Sequence, residues 1–346
     1  MMIQAARRPT ATIGCDAKDE RSLVCPACHG DLVAAERGRT CAECDRYYPE
    51  VAGLLDLRLQ SDRYLDLESE RAVAEELAEF EPTTDAIGLA DRYFAGRPEV
   101  KGRGAMFLAQ VESAIDRGEA LAELLPKSGR VLEVGCGTGG LLVAARRRGI
   151  AIEGIDVAAR RLVIARRRLN DHHVYASLII AQAERSPYPA GSFDAIVLDS
   201  VLEHLTDPFA AIRECARTLK PGGRLIVWSP NRYSPLLDPH VGLWGVGFLP
   251  RRLLRPYVRL RRGAIEPIAC LSPREAQKLA ATAGFRSIAI EPPRIDADWS
   301  NNRSLLRSIL MYIYRSTRGS KSIRSFTLAF GPLWSLTAIR GENACP

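Results

Sequence analysis

Val131-Leu-Glu-Val-Gly-Cys-Gly-Thr-Gly-Gly140 sets an apolar run, an acidic residue and a glycine-rich turn ahead of the helix-forming stretch Leu141-Leu-Val-Ala-Ala145. Gly135, Gly137 and Gly139 let a backbone turn sharply and approach a ligand that any Cβ would exclude. The helix start beyond them presents unpaired N–H groups. Glu133 stands two residues before the first glycine, where a carboxylate can meet a cationic amino group. The stretch reads as a nucleoside-cofactor site at the end of a strand. Gly135, Gly137 and Gly140 also satisfy the G-x-G-x-x-G spacing of dinucleotide-binding folds, so the pattern leaves two cofactor classes open.

Downstream, Ile152-Glu-Gly-Ile-Asp156 reads as a second strand ending in an acid placed to hold ribose hydroxyls, which both classes want. Ser192-Phe-Asp-Ala-Ile-Val-Leu-Asp199 is a buried strand that runs through Ser200-Val-Leu-Glu-His204 into a helix ending near Leu219. Leu219-Lys-Pro-Gly-Gly-Arg-Leu-Ile-Val-Trp228 is a tight turn delivering the chain into a further strand. Four motifs in this order resemble the class I S-adenosylmethionine (SAM) dependent methyltransferases, in particular the group that includes quinone and small-molecule methyltransferases. The resemblance covers roughly residues 105 to 340.

The resemblance implies an α/β fold: a Rossmann-like, seven-stranded, mostly parallel sheet with helices on both faces. It implies that Glu133 and the loop Gly135, Cys136, Gly137 and Gly139 face the methionine part of SAM, and that Asp156 faces the ribose diol. Gln182-Ala183-Glu184 would border the adenine, and Asp199 would line the pocket. The family commonly has Asp where this chain has Gln182; a glutamine can accept from the adenine amino group and donate to a ring nitrogen.

Upstream, Cys25-Pro-Ala-Cys28 and Cys41-Ala-Glu-Cys44 form two C-x2-C pairs separated by twelve residues, close to the four-thiolate spacing of a zinc ribbon. Two disulfides, or redox-active pairs, are the competing readings, and the absence of a secretory context disfavours disulfides. Zn2+ on Cys25, Cys28, Cys41 and Cys44 is therefore expected, with His29 a surface residue. Tyr47 to Leu57 resembles the tail of small zinc modules found beside methyltransferases. A module of about 45 residues buries too little core to fold unaided, so the metal would supply folding energy.

The chain divides accordingly: a flexible arm over 1–22, the ribbon over 23–58, a helical linker or lid over 59–125, and a methyltransferase domain over 126–346. Insertions fall at about 230–265 and 296–325. In the linker, helices are expected over 61–80 and 105–125. Ser272-Pro-Arg-Glu275 is a capping box opening a helix that ends at Gly284, Ser287 to Glu291 is a strand, and Leu333 to Ile339 is a final antiparallel strand. The first insertion, Ser229 to Pro250, carries Pro, Gly and aromatics too densely for a regular element. It leads into Arg251, Arg252, Arg255, Arg259, Arg261 and Arg262 interleaved with Leu253, Leu254, Val258 and Leu260, a pattern suited to anionic lipid, to RNA or to a simple solvated cap.

The chain has 346 residues, a hydrophobic content of 47% and a net charge of +7. Five of its nine cysteines are scattered outside the ribbon, as in a reducing cytosol, and residues 1–22 lack the apolar core of a signal peptide. A cytoplasmic protein, in peripheral contact with a membrane through the basic insertion, is expected. The charge and the arginine clusters at 146–148, 160–161 and 166–168 suggest nucleic acid, but such clusters on helices are usually solvated faces. The Asn/Asp-Pro-Pro-aromatic turn of base-amino methyltransferases is absent; Asp199-Ser-Val-Leu stands in its place.

The expected activity is methyl transfer to an oxygen or carbon of a small, apolar or lipid-like acceptor. The alternatives are a ribosomal or other RNA methyltransferase that uses the ribbon for recognition, and a SAM-binding scaffold whose ribbon docks a partner. Methyl transfer requires the nucleophile to be aligned and, for oxygen or carbon, deprotonated. His204, just past the fourth strand, is the first candidate base and His240 of the insertion the second. His172 and His173 are assigned no role.

Overall fold

The structure, a computed structural model, describes residues 23–61, 65–96, 104–238, 241–262, 270–295, 305–320 and 322–342. His240 and the 1–22 arm lie outside the described residues.

The N-terminal cysteine pairs are spaced by short antiparallel strands β1 (Leu32–Ala35), β2 (Gly38–Cys41), β3 (Tyr47–Val51) and β4 (Leu54–Leu55), which form one four-stranded sheet in that order. The two knuckles repeat one geometry. The residue after each second cysteine, His29 and Asp45, has left-handed φ (64° and 56°), and its N–H returns to the carbonyl of the first cysteine.

Helices α1 (Leu67–Phe80), α2 (Ala86–Ala95), α3 (Gly104–Glu112) and α4 (Ala114–Ala122) come next. The first begins at Leu67 rather than near residue 61 because Asp66 caps it, accepting from Ser69 N–H. The single helix expected over 105–125 is two, parted at Ser113. Its hydroxyl bonds back to Ala109 O, and the carbonyl of Val111 is taken by the buried Arg168 guanidinium at 2.7 Å.

The main sheet comprises β5 (Arg130–Val134), β6 (Ala151–Asp156), β7 (Leu178–Ile180), β8 (Phe193–Asp199), β9 (Leu219–Pro230), β10 (Phe285–Glu291) and β11 (Leu333–Arg340). Their order is β10-β11-β9-β8-β5-β6-β7, and only β11 runs antiparallel to its neighbours. The seven-stranded α/β sheet expected from the motifs is thus present. Helices α5 (Gly140–Arg147), α6 (Ala159–Asp171) and α7 (Pro208–Thr218) make the crossovers. Helix α8 (Arg251–Arg262) belongs to the first insertion. Helix α9 (Pro273–Thr282) opens on the anticipated Ser272/Glu275 capping box, and α10 (Leu305–Thr317) and α11 (Arg324–Phe330) form the second insertion.

Two packing features hold the ligand-facing end of the sheet in place. Helix α4 lies against α5 at glycine-to-glycine distance: a Cβ on Gly118 would come within 2.7 Å of the Gly140 backbone, and one on Gly140 within 2.2 Å of Ala114 O. The ribbon, in turn, has no core of its own. Leu23, Cys25, Cys41, Tyr48 and Leu57 belong to the same buried cluster as Ile155, Ile179 and Phe193 of the main sheet. Leu57 N–H donates to Ile180 O at 2.8 Å and Asp56 pairs with Ile180 in parallel, so the ribbon's tail extends the sheet beyond β7. The unit read as 23–58 is physically continuous with the methyltransferase sheet.

Candidate active site

Strands β5 and β8 are neighbours whose crossovers leave in opposite directions, and the crevice beyond their carboxyl ends is where open α/β sheets bind ligands. A cavity of about 510 Å³ opens there. One wall is the glycine loop. Gly135, Gly137 and Gly139 all have left-handed φ (73°, 52° and 77°), which explains glycine at each. A Cβ on Gly135 would strike Val201 at 2.4 Å, whereas one on Gly137, which also lines the cavity, would meet nothing within 4 Å.

Glu133, at the end of β5, lines this cavity and is 5% exposed; its Oε2 has no hydrogen-bond partner among the described residues. Burial, and then the charges of Asp199 and Asp156, push its carboxyl well above the ordinary carboxylate range. An orphaned buried carboxyl aimed into a cavity is suited to a cation, and the α-ammonium of SAM fits it. Cys136 lines the cavity from the glycine loop and is largely buried, its sulfur lying against Gly154; that burial pushes its thiol well up.

Asp156 is brought to the loop but not to the cavity wall. Its Oδ2 accepts from Gly137 N–H and its Oδ1 from Ala158 N–H, both at 2.8 Å, so it shapes the glycine turn from beneath. Gln182 takes a partner from the ribbon's tail. Its side-chain oxygen accepts the Leu59 N–H at 3.0 Å, and neither it nor Ala183 is among the cavity-lining residues. An amide oxygen has two lone pairs, so this bond still leaves it able to accept a second donor.

Asp199, Ser200, Glu203 and His204 line the cavity from the end of β8 and the following 3-10 turn (Leu202–His204). The residue that sequence reading missed is Arg117. From α4 its guanidinium spans both oxygens of Asp199 and reaches Ser200 Oγ at 2.9 Å. Burial works against its charge, but Asp199 first, and Glu203 after it, raise its pKa above the ordinary value. A lone arginine on an expected helix gives no sign of this; the neighbouring Gly118, which allows the helix to close onto α5, is the one clue. Glu203 is buried and accepts from Ser229 Oγ at 3.2 Å, across from β9.

The opposite wall comes from both insertions, with Leu236, Trp244, Leu249 and Leu254 of the first and Met311 of the second. The irregular stretch expected before Pro250 contains one 3-10 turn, Val246–Phe248, and its Val241, Leu243 and Val246 form a small core with Val258 of α8. Helix α8 exposes Arg251, Arg252, Arg255, Arg259 and Arg261 together with Leu253 and Leu260 and has no acidic residue. Phe248 stacks on Phe330 at 6.3 Å, and Phe330 meets Phe326 at 4.9 Å, joining the insertions into one exposed aromatic surface near the cavity. The arginine clusters expected to be solvated faces are mixed: Arg147, Arg148 and Arg161 are exposed, Arg146, Arg166 and Arg167 half-buried, and only Arg160 and Arg168 buried. Arg160 pairs with Glu70, Arg166 with Glu81, and Arg148 with Glu119.

The four ribbon cysteines are reduced, and their sulfurs all lie within 4.8 Å of one another, with Cys25 to Cys44 at 3.7 Å and Cys28 to Cys41 at 3.4 Å. A tetrahedral zinc with bonds of ~2.3 Å separates its sulfurs by about 3.8 Å, so the set matches one ion.

Residues 132–227 match the family described as "Methyltransferase domain", and the domain built on them is a class I SAM-dependent methyltransferase domain. The chain is similar to the ubiquinone biosynthesis O-methyltransferase of Xanthomonas axonopodis pv. citri, 40% identical over 112 residues, which are 32% of this chain and 47% of that one. It is also similar to the ubiquinone biosynthesis O-methyltransferase of Paracidovorax citrulli, 36% identical over 159 residues, 44% of this chain and 65% of the relative. The chain thus spans about half the length of the first curated relatives it matches. Among solved structures, a SAM-dependent methyltransferase from Thermotoga maritima described as a possible histamine N-methyltransferase aligns at 22% identity with a TM-score of 0.43, covering 68% of this chain and 92% of that one.

Proposed function

We propose that the protein transfers a methyl group from SAM to an oxygen or carbon of a small, apolar or lipid-like acceptor. The observation that carries this reading is a single cavity joining Glu133 and the glycine loop on one side to Leu236, Trp244, Leu254 and Met311 on the other. The curated relatives are named for O-methylation in ubiquinone biosynthesis, which supports an oxygen acceptor on an apolar molecule.

Glu133 would hold the α-ammonium and the open backbone at Gly137 would admit the cofactor chain. Asp156 would brace the ribose side through the loop it organises, with Gln182 and Ala183 behind the adenine side. SAM supplies an electrophilic methyl on a positively charged sulfur when bound. The chain must align the acceptor and take its proton, and His204, just past β8, is the histidine among the described residues that lines the cavity. Arg117 and Asp199 neutralise each other at the cavity wall, keeping that wall polar without net charge.

In the ribbon, Zn2+ on Cys25, Cys28, Cys41 and Cys44 would be structural. The arginines of α8 and the aromatic surface beside it suit peripheral contact of a cytosolic protein with an anionic membrane. Sedimentation with anionic but not neutral vesicles tests that contact.

Incubation with methyl-labelled SAM and fractionated lysate tests the acceptor class. Label in the organic extract is expected. Nuclease-sensitive label would replace this reading with RNA methylation, and SAM binding with no transfer to any fraction would leave a scaffold.

A further inference from the structure

The ribbon's tail reaches the side of the domain where the nucleoside half of SAM is expected, and it does so through one buried ion pair. Asp56 and Arg58 are 1% and 6% exposed. Arg58 Nε and Nη2 donate to the two oxygens of Asp56, each at 2.8 Å, while Arg58 Nη1 donates to Val157 O at 2.9 Å. One residue on, Leu59 N–H donates to Gln182 Oε1 at 3.0 Å. Val157 directly follows Asp156, which braces Gly137, and Gln182 stands two residues past the end of β7. Two consecutive residues of the tail therefore grip both segments that would flank a ribose and an adenine, though neither residue lines the cavity.

The pair itself is strongly held. Burial alone would raise the Asp56 carboxyl, but Arg58, with Arg71 donating to Oδ2 at 3.1 Å, holds it below its usual value. A buried fork with both partners satisfied is rigid, and breaking one side leaves an uncompensated charge.

We infer that Arg58 is a positioning residue for cofactor binding: anchored to Asp56, it fixes the Val157 carbonyl, and with Leu59 on Gln182 it sets the separation of the two segments that grip the nucleoside. This rests on the SAM reading above and adds to it a task for the ribbon's tail. The ribbon thereby acts on the cofactor without touching it.

The test measures binding of S-adenosylhomocysteine, and separately of 5′-methylthioadenosine, to the full chain by calorimetry. Arg58→Lys keeps a cation beside Asp56 but lacks the fork that also reaches Val157, and Arg58→Ala removes both contacts. Arg166→Ala serves as the control, because Arg166 ties the same ribbon to α6 at a different place, the Ala52 carbonyl (2.6 Å). Arg58→Lys is expected to weaken both ligands by the same factor, about tenfold or more, corresponding to the loss of one charge-assisted hydrogen bond. Arg166→Ala is expected to lower the melting temperature and leave both affinities within about twofold, since surface-reaching contacts of this kind act on stability alone. If Arg58→Ala does not fold, Arg58→Lys decides. Wild-type affinity in Arg58→Lys overturns the inference, as does an equal loss in Arg166→Ala, which would mean general loosening. Failure of the wild-type chain to bind either ligand overturns the SAM reading itself, and this inference with it.

Discussion

Substituting Glu133 with Gln changes one buried carboxyl and should move stability and affinity in opposite directions. Its carboxyl is raised by burial and by the neighbouring charges of Asp199 and Asp156, and its Oε2 is orphaned. In the unfolded chain a glutamate titrates near ~4.3. Between that value and the higher folded one, the native state holds a proton that the unfolded state has released. Stability from this group is therefore full below pH ~4.3 and falls as pH rises, by at most about 1.4 kcal/mol per unit, until the folded pKa is passed. Glu133→Gln removes that slope, so the variant should melt higher than wild type at pH 7.5 and the gap should shrink toward pH 4.5.

Affinity goes the other way. A charge-assisted hydrogen bond to the α-ammonium contributes about 1.5–3 kcal/mol, so the variant should bind S-adenosylhomocysteine about one to two powers of ten more weakly. In the wild type, the ligand's cation favours the ionised carboxylate of Glu133. Calorimetry in buffers of different ionisation enthalpy should therefore show proton release at pH values below the raised folded pKa, absent in the variant. Equal affinity of the two proteins, or proton release that survives the substitution, would refute the assignment of Glu133 to the ammonium.

Other expectations are as direct. His204→Gln should leave S-adenosylhomocysteine affinity within about threefold while reducing methyl transfer by about 10² or more and changing the pH–rate profile; an unchanged profile would remove His204 as base. Stripping metal with a strong chelator, or Cys25→Ser, should release one zinc per chain measured by colorimetric titration and lower the melting temperature, and a chain with no releasable zinc would refute the ribbon site. Gly118→Ala should destabilise by about 1–3 kcal/mol in denaturant titration despite alanine's better helix propensity, because the added methyl meets the Gly140 backbone at 2.7 Å; a stabilised variant would show that α4 and α5 can part freely.

What could be read from the chain was whatever the backbone itself demands. Glu133, the three glycines and Asp156 are legible because left-handed turns and strand ends restrict residue type locally. The capping box at Ser272 and the cysteine knuckles announce themselves for the same reason. Arg117 could not be read, since its contact with Asp199 depends on how closely α4 crosses α5, a distance set by Gly118 and Gly140 in separate elements. The bond at Gln182 could not be read either, because a side chain near a strand end reports its position but not its partner, and Leu59 N–H arrives from the ribbon. The break at Ser113 likewise required Arg168, from α6, to claim a helix carbonyl.

The tail of the ribbon also alters the fate of the sheet's border. An uncovered outer strand offers a row of unpaired N–H and C=O groups to any other chain. On one side β10 is kinked out of register between Arg286 and Ala289, with Ser287 at a left-handed φ of 50°, which spoils it as a template. On the other side β7 is regular and apolar, Leu178-Ile-Ile180, and the ribbon's tail occupies its end. A shortened chain beginning after residue 60 would keep every residue of the cavity and yet bare that strand, so such a fragment should self-associate more readily than the full chain.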